Sequence, residues 1–433
     1  MFRAFAACRA VIQSQHLKTT SAAFLVLTLT AASSAAERPV FPGAQGFGIH
    51  TLAGRGGKLI RVANLNADGP GSLREALDAK GPRIVVFEVG GVIDLNRNNL
   101  TIREPFLTLA GQTAPSPGIT LIRGGIRIAT HDLLIQHLRV RPGDAGQPKR
   151  SAWEPEVTTS GPDSYHIVID HCSVSWAVDE NLSASGPRYN GPQGASRNVT
   201  FSNNILAEGL YDATHSKGIH SMGSLVHDNC TNIAVIGNLY AHNNQRNPYF
   251  KAFTTGVIVN NLIYNPGRAA IQVDFPLSEW KDQPVTPQNA RVSVVGNVLI
   301  HGANTVAGLA LVSRKGDVFL EDNIALDRAG NPVSHTSGSI NVLKEKPSWP
   351  QGLAPLPAGQ VIEQVLRHAG ARPRDRDQTG LRIIREFRER KGRFIDSQNE
   401  VGGYPKPVMT RRKLAAPAQD IDEWLAKLAA GLE

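Results

Sequence analysis

Five short stretches of the chain follow one plan: alternating apolar residues, two small or polar residues, then asparagine and another apolar residue. They are NVTFSNNIL at Asn204, NIAVIGNLY at Asn238, GVIVNNLIY at Asn261, RVSVVGNVLI at Asn297 and DVFLEDNIAL at Asn323. HIVIDHCSV fits the same frame, with Cys172 at the asparagine position. Each stretch is too short to bury its own apolar face, so neighbours have to stack to make a core. The intervals between the asparagines run from about twenty-three to thirty-six residues, which suits a coil of three short strands with loops of variable length. A leucine-rich repeat would need its fixed leucine pattern, and a propeller blade would need more residues. The pattern predicts an all-β chain, a right-handed single-stranded parallel β-helix. Its asparagine side chains should bond to one another along the coil, as in other cross-β ladders, with Cys172 at the head. Forty-one glycines and twenty-seven prolines agree with many turns between short strands.

The chain on either side of the repeat reads differently. Arg3, Arg9 and Lys18 precede an apolar run from about Ala22 to Ala32, and Ser34-Ala35-Ala36 follows. This is the plan of a cleaved secretory signal over residues 1–36. No later segment is long and apolar enough to span a bilayer, so a secreted or periplasmic protein without a membrane partner is expected. Cys8 belongs to the signal. Cys172 and Cys230 are expected as unpaired structural thiols, because two cysteines make no framework and no Cys/His spacing resembles a zinc site. The net charge of +9 would attract any polyanion, yet roughly seven of those charges fall in residues 361–413. There RPRDRD and REFRERKGR alternate arginines with acids, a pattern expected of a solvated helix face. The charge selects no partner by itself, and nucleic acid is not expected.

FPGAQGFG and GRGGK invite a phosphate-loop reading, but neither has the Lys-Ser/Thr ending or the Gly-x-Gly-x-x-Gly frame. GPGSLREAL sets Ser72 and Glu75 in capping-box spacing, which predicts a short N-terminal helix covering the open first coil. The β-helix is expected over residues 37–343. KEKPSWPQGLAPLPAGQ then makes 344–360 a Pro-rich connector. Helical patterns at 361–369, 381–391 and 420–429 make 361–433 a helical C-terminal extension, free to pack on the coil or to stand apart.

Parallel β-helices carry many functions, so function has to come from a site. No Asp-Asp pair or other acid cluster on a shared repeat supports a hydrolase with paired carboxylates. The chain does offer acids and bases on successive coils: Glu156, Asp179, Lys217, Arg246 and Lys251. Coils stack ~4.8 Å apart, so such residues can converge though distant in sequence. Arg246 and Lys251 lie five apart, which would place them on opposite faces of an unbroken strand. Pro248 between them ends ladder bonding and lets both turn toward one cleft.

FPGAQGFG, GPGSLREAL, IDHCSVSW and RNPYFK, in this order on a β-helix repeat, make the chain from about Phe41 to Leu343 resemble the pectate lyases of polysaccharide lyase family 1, secreted bacterial type. The resemblance implies β-elimination on α-1,4-polygalacturonate, an acidic polysaccharide, to unsaturated oligogalacturonides. It also implies a Ca²⁺ ion joining enzyme and substrate carboxylate. By resemblance Arg246 is the catalytic base, Lys217, Arg246 and Lys251 bind substrate, and Glu156, Asp179 and Glu180 hold the metal. A guanidinium has a pKa above about 12, so repulsion by Ca²⁺, Lys217 and Lys251 is expected to favour its neutral form and an alkaline optimum. Asp170 and His171 read as structural turn residues.

Two positions depart from the family pattern. Lys251 stands where a second arginine is usual, which keeps the charge and loses the bidentate grip. Ser175 stands where an acid is usual, four residues before Asp179. In a strand, Ser175 and Asp179 share a face and Glu180 points away unless the chain bulges. Calcium takes six to eight oxygens, so weak binding completed by water and substrate is expected. The alternatives are a lyase on another uronate polymer, alginate or a glycosaminoglycan, and a non-catalytic polysaccharide-binding β-helix. A monomer is expected.

Overall fold

The alternating apolar stretches resolve into three parallel sheets wound as one coil, a right-handed parallel β-helix. The computed structural model describes residues 38–406 and 408–433, so the signal expected over residues 1–36 lies outside the described residues. The first sheet runs from Lys58–Val62 to Arg291–Val295, the second from Val89–Asp94 to Ile324–Leu326, and the third from Leu100–Ile102 to Thr336–Val342. Val312–Glu321 joins two faces, pairing with Ile271–Val273 through its start and with Arg291–Val295 through its end.

Register follows the side-chain pattern. Ile135, Ile169, Phe201, Val235, Ile258 and Val294 sit opposite one another on successive strands of the first sheet and form one interior column. Each such side chain contributes roughly 1.5–3 kcal/mol by leaving water. A slip of one residue would expel the whole column, so the pattern sets the register.

The asparagines form the expected ladder. Asn204 donates its amide to Asn238 Oδ1 at 2.9 Å, Asn238 to Asn261 at 2.9 Å, Asn261 to Asn297 at 3.0 Å and Asn297 to Asn323 at 3.1 Å. Cys172 heads it by donating its backbone N–H to Asn204 Oδ1 at 2.8 Å. The residue just before each rung has a positive φ: His171, Asn203, Gly237, Asn260, Gly296 and Asp322 all lie between 47° and 67°. That left-handed bend turns the chain from the first sheet to the second, which explains why the repeat places Asn, Asp or Gly there so often. Cys172 and Cys230 are buried free thiols.

A helix covers the first coil, and the C-terminal helices cover the sides. The helix Leu73–Asp78 buries Leu73, Ala76 and Leu77 against the first coil. Ser72 Oγ caps Glu75 N–H at 3.2 Å, but Glu75 accepts from Gly71 N–H and not from Ser72, one residue off a capping box. The C-terminal extension packs on the coil. Ala358–His368 and Gln378–Arg388 lay Val361, Val365, Ile383 and Phe387 over Ala207, Leu239, Leu262 and Ile300 of the second sheet. Ile421–Ala430 sets Leu425 against Ile84 and Val86.

The expected solvated arginine face holds for REFRERKGR, whose Arg385, Arg388, Arg390 and Arg393 are exposed, and is corrected for Arg372 and Arg376 of RPRDRD. Arg372 is 4% exposed and donates to Ala114 O at 2.9 Å. Arg376 caps the end of Ala358–His368 through the carbonyls of Leu366, Arg367 and Ala369. Arg382 clamps the buried Glu208 at 2.6 and 2.7 Å. Arg372 and Arg382 tie the extension to the coil, and Arg376 ties two parts of the extension to each other.

Asn238 sits mid-ladder, and its loss would orphan Asn204 N–H, the Asn204 amide and Phe201 O together. Asn238→Ala should therefore cost about 3 kcal/mol in urea unfolding, at ~1–3 kcal/mol for each buried group left unpaired. Asn323→Ala, at the part-buried end of the ladder, should cost less.

Candidate active site

The third sheet is narrow where it passes the middle of the coil, with only Leu225–Val226 and Tyr249–Phe250 in two of its strands. Loops therefore stack on both of its edges. Those leading into it carry Glu156, Asp179 with Glu180, His215 to His220, and Arg246. Those leaving it carry Arg188, Asp228, Lys251 and Glu279. Thr158, Ser183, Leu225, Tyr249 and Gln272 line up on the outer face between the edges, by the register of their strands.

Bridges hold Glu180, Met222 and Gln245 opposite one another on three successive coils. Arg246 follows Gln245 with a φ of 62°, and its N–H donates to Gln272 Oε1 at 2.8 Å. A second, shorter asparagine network supports these turns from below. Asn181 donates to Asn243 Oδ1 at 3.1 Å, and Asn243 donates to Asn247 Oδ1 at 3.1 Å. This is the role of the asparagines in HNNQRNPYFK.

Oxygens of Glu156, Asp179 and Glu180 lie within 4.8 Å of one another. Glu180 is 3% exposed and forms an ion pair with Arg246, while its Oε1 makes no well-formed hydrogen bond. Asp179 accepts from His220 Nε2 at 2.9 Å and has His215 Nε2 at 3.7 Å. The two imidazoles stack with centroids 3.6 Å apart, and Glu154 lies 3.4 Å from the far side of His215. Burial and then the Asp179 charge push Glu156 up to about 8. Burial alone would raise Asp179, but His215, His220 and Arg246 hold it well below the usual carboxylate range.

The structure brings Arg246, Glu156, Asp179 and Glu180 together. The turn containing Trp176, at φ 68°, breaks the strand period after Ser175, so Glu180 turns inward beside Asp179. Ser175 stays fully buried with its hydroxyl unpaired. Lys251 shares the outer face with Tyr249 but is 4% exposed, paired with Glu279 and lying 3.3 Å from Asp228. Arg188 reaches the same Glu279 at 3.0 Å. Lys217 lies at the exposed part of its loop. Of the expected repulsion on Arg246, the part assigned to Lys217 and Lys251 is therefore corrected: burial lowers its pKa, while its strongest charged neighbours are Asp179, Tyr249, Glu279 and Glu156, all of which raise it. Asp170 is buried, and His171, Gln136 and Ser202 hold it at about 2 against burial, as a turn residue. Sequence reasoning missed His215, His220, Arg188 and Glu279. THSKGIH showed two histidines five apart, a spacing with no meaning until the loop is folded.

No protein-family model matches the chain. Proteins named "Probable pectate lyase C" from Aspergillus flavus and Aspergillus oryzae are each 31% identical over 374 residues, 84% of this chain and 81% of theirs. In fold, the coil is similar to jun a 1, the major allergen from cedar pollen, with a TM-score of 0.54 at 16% identity over 76% of this chain and 92% of that one. A pectate lyase from Bacillus sp. N165, solved with trigalacturonate, gives a TM-score of 0.52 at 15% identity, covering 76% and 99%. The sequence identity to the Aspergillus proteins spans most of both chains, so the chain belongs to the pectate lyases of polysaccharide lyase family 1.

Proposed function

We propose that the protein is exported and cleaves α-1,4-polygalacturonate by β-elimination, with calcium as cofactor and unsaturated oligogalacturonides as products. The observation that carries this reading is a part-buried arginine set against three converging carboxylates on the outer face of the coil. The names of the Aspergillus relatives and the trigalacturonate in the Bacillus structure support the substrate. Among the described residues no helix is long and apolar enough to cross a membrane.

The acid cluster fits a hard cation. Three carboxylates crowd together with one arginine among them, and burial and then the Asp179 charge push Glu156 up. Glu156, Asp179 and Glu180 would hold calcium, which when bound neutralises the substrate carboxylate and so makes the C5 proton more acidic. His215 and His220 orient Asp179. Arg246, once free of Glu180, takes the proton from C5. The C5–H pair becomes the C4–C5 double bond, the C4–O4 bond breaks, and O4 leaves with its electron pair and takes a proton. Burial favours the neutral guanidine this step needs, and the surrounding acids oppose it. Lys251 and Arg188 supply cations for a further uronate carboxylate, in competition with Glu279.

Absorbance of the unsaturated uronate should rise with polygalacturonate and calcium, and disappear with a chelator; signal on alginate alone would move the substrate. Arg246→Ala should lower kcat by about 10²–10⁴ with KM nearly unchanged, the usual range for a general base. Lost affinity with residual turnover would make Arg246 a clamp. Because a lowered Arg246 pKa raises the neutral fraction as pH rises, kcat should climb from neutral into alkaline pH. Glu279→Gln leaves Asp228 as the one carboxylate holding Lys251 and Arg188, and should lower KM about threefold, a modest charge effect at a part-exposed site.

A further inference from the structure

One cluster of buried donors lies away from the active site, at the bend between the first and second sheets. His137 and His171 occupy the same left-handed position on successive coils, and their rings stack with centroids 5.3 Å apart. His137 is fully buried, and neither of its ring nitrogens has a hydrogen-bond partner. His171 Nδ1 meets Asp170 Oδ2 at 2.7 Å, while its buried Nε2 has no partner. Glu433, just past the helix Ile421–Ala430, brings Oε1 to 3.9 Å from that Nε2. Ligand atoms of His137, His171 and Glu433 all lie within 4.8 Å of one another.

Three unpaired buried nitrogens are costly, and native cores rarely leave such groups alone. With Asp170 accepting the Nδ1 proton, His171 faces the Glu433 carboxylate through Nε2, where a proton or a metal ion can lie between them; a proton there leaves His137 unpaired, whereas a metal ion takes one nitrogen from each ring. A carboxylate behind the imidazole is also the arrangement that orients metal-binding histidines. Arg139 and Arg372 act on His137 from nearby, but Arg139 lies 3.8 Å from Asp377 and Arg372 is paired with Asp375 at 2.8 Å. A cavity of about 310 Å³ lined by Gln136, His171, Leu425, Ala429 and Glu433 leaves room for a fourth ligand such as water.

We infer that His137, His171 and Glu433 form a site for a divalent transition ion of the zinc class, which staples the C-terminal helix to the coil. Two imidazoles and one carboxylate suit zinc and select against calcium, so this ion differs from the one in the active site. Tetrahedral bonds of ~2.0–2.1 Å ask the donors to approach to about 3.3 Å, a closure of roughly an ångström.

The test measures zinc binding to the full chain by equilibrium dialysis with calcium in excess, alongside thermal unfolding and proteolysis of the C-terminal helix. The wild type should hold zinc at micromolar free metal, with a raised Tm and a protected helix. Glu433→Gln and His137→Gln should each weaken binding at least about tenfold and remove both effects. Glu433 is only part-buried, so its variant keeps the test valid if His137→Gln fails to fold. His220→Gln separates the histidine pair beside Asp179, and it should leave the stapling ion in place. No zinc bound by the wild type, unchanged binding in Glu433→Gln, or loss only in His220→Gln would each overturn the assignment.

Discussion

A parallel coil survives only if every turn repeats the one below it, and the asparagine ladder enforces that repetition. Each rung uses one side chain to satisfy a backbone N–H and an amide on the neighbouring coil, at 2.9–3.1 Å throughout its length. Because the rungs sit beside a left-handed bend, they lock the angle between the first and second sheets. The interior column of Ile135, Ile169, Phe201 and Val235 can then align without gaps. Loops on the far side inherit the same spacing, so residues from different coils meet without any local motif.

The active site shows what that spacing permits. Glu156, Asp179, Glu180 and Arg246 come from three loops and converge, the carboxylate oxygens within 4.8 Å of one another and Arg246 paired with Glu180. Their electrostatics are mutual: burial lowers the arginine pKa while the acids oppose it, and burial and then the Asp179 charge raise Glu156. Such opposed terms leave a group responsive to what binds beside it, as a catalytic base must be. The C-terminal extension uses the same chemistry for anchorage. The Glu208–Arg382 pair is buried and doubly bonded, and Trp176 donates to the same carboxylate at 2.9 Å.

Much of this was legible before folding. The repeat announced the coil and the ladder, SLRE announced the capping helix, and RNPYFK announced the arginine on its break. The failures have one physical cause, which is that side-chain partners in this fold lie a full coil away. Lys251 looked like a free anion clamp, but Asp228 and Glu279 reach it from neighbouring loops. Arg372 and Arg376 of RPRDRD looked solvated, but Ala114 O with Asp375 and the carbonyls of a helix end receive them. Glu180 looked misdirected by strand period until the turn containing Trp176 reset the phase.

Sequence alone decided the coil and its register, because hydrophobic alternation and a repeated asparagine act along the chain, where spacing can be counted. Which charges are free, which acids converge and where the extension docks were decided only in three dimensions. Those properties depend on burial and on neighbours some 20 to 40 residues away on the next coil, or hundreds away in the extension, and no local spacing encodes them. The two lysines show the difference: Lys217 and Lys251 read alike in the sequence, but one is exposed and the other is buried between two carboxylates.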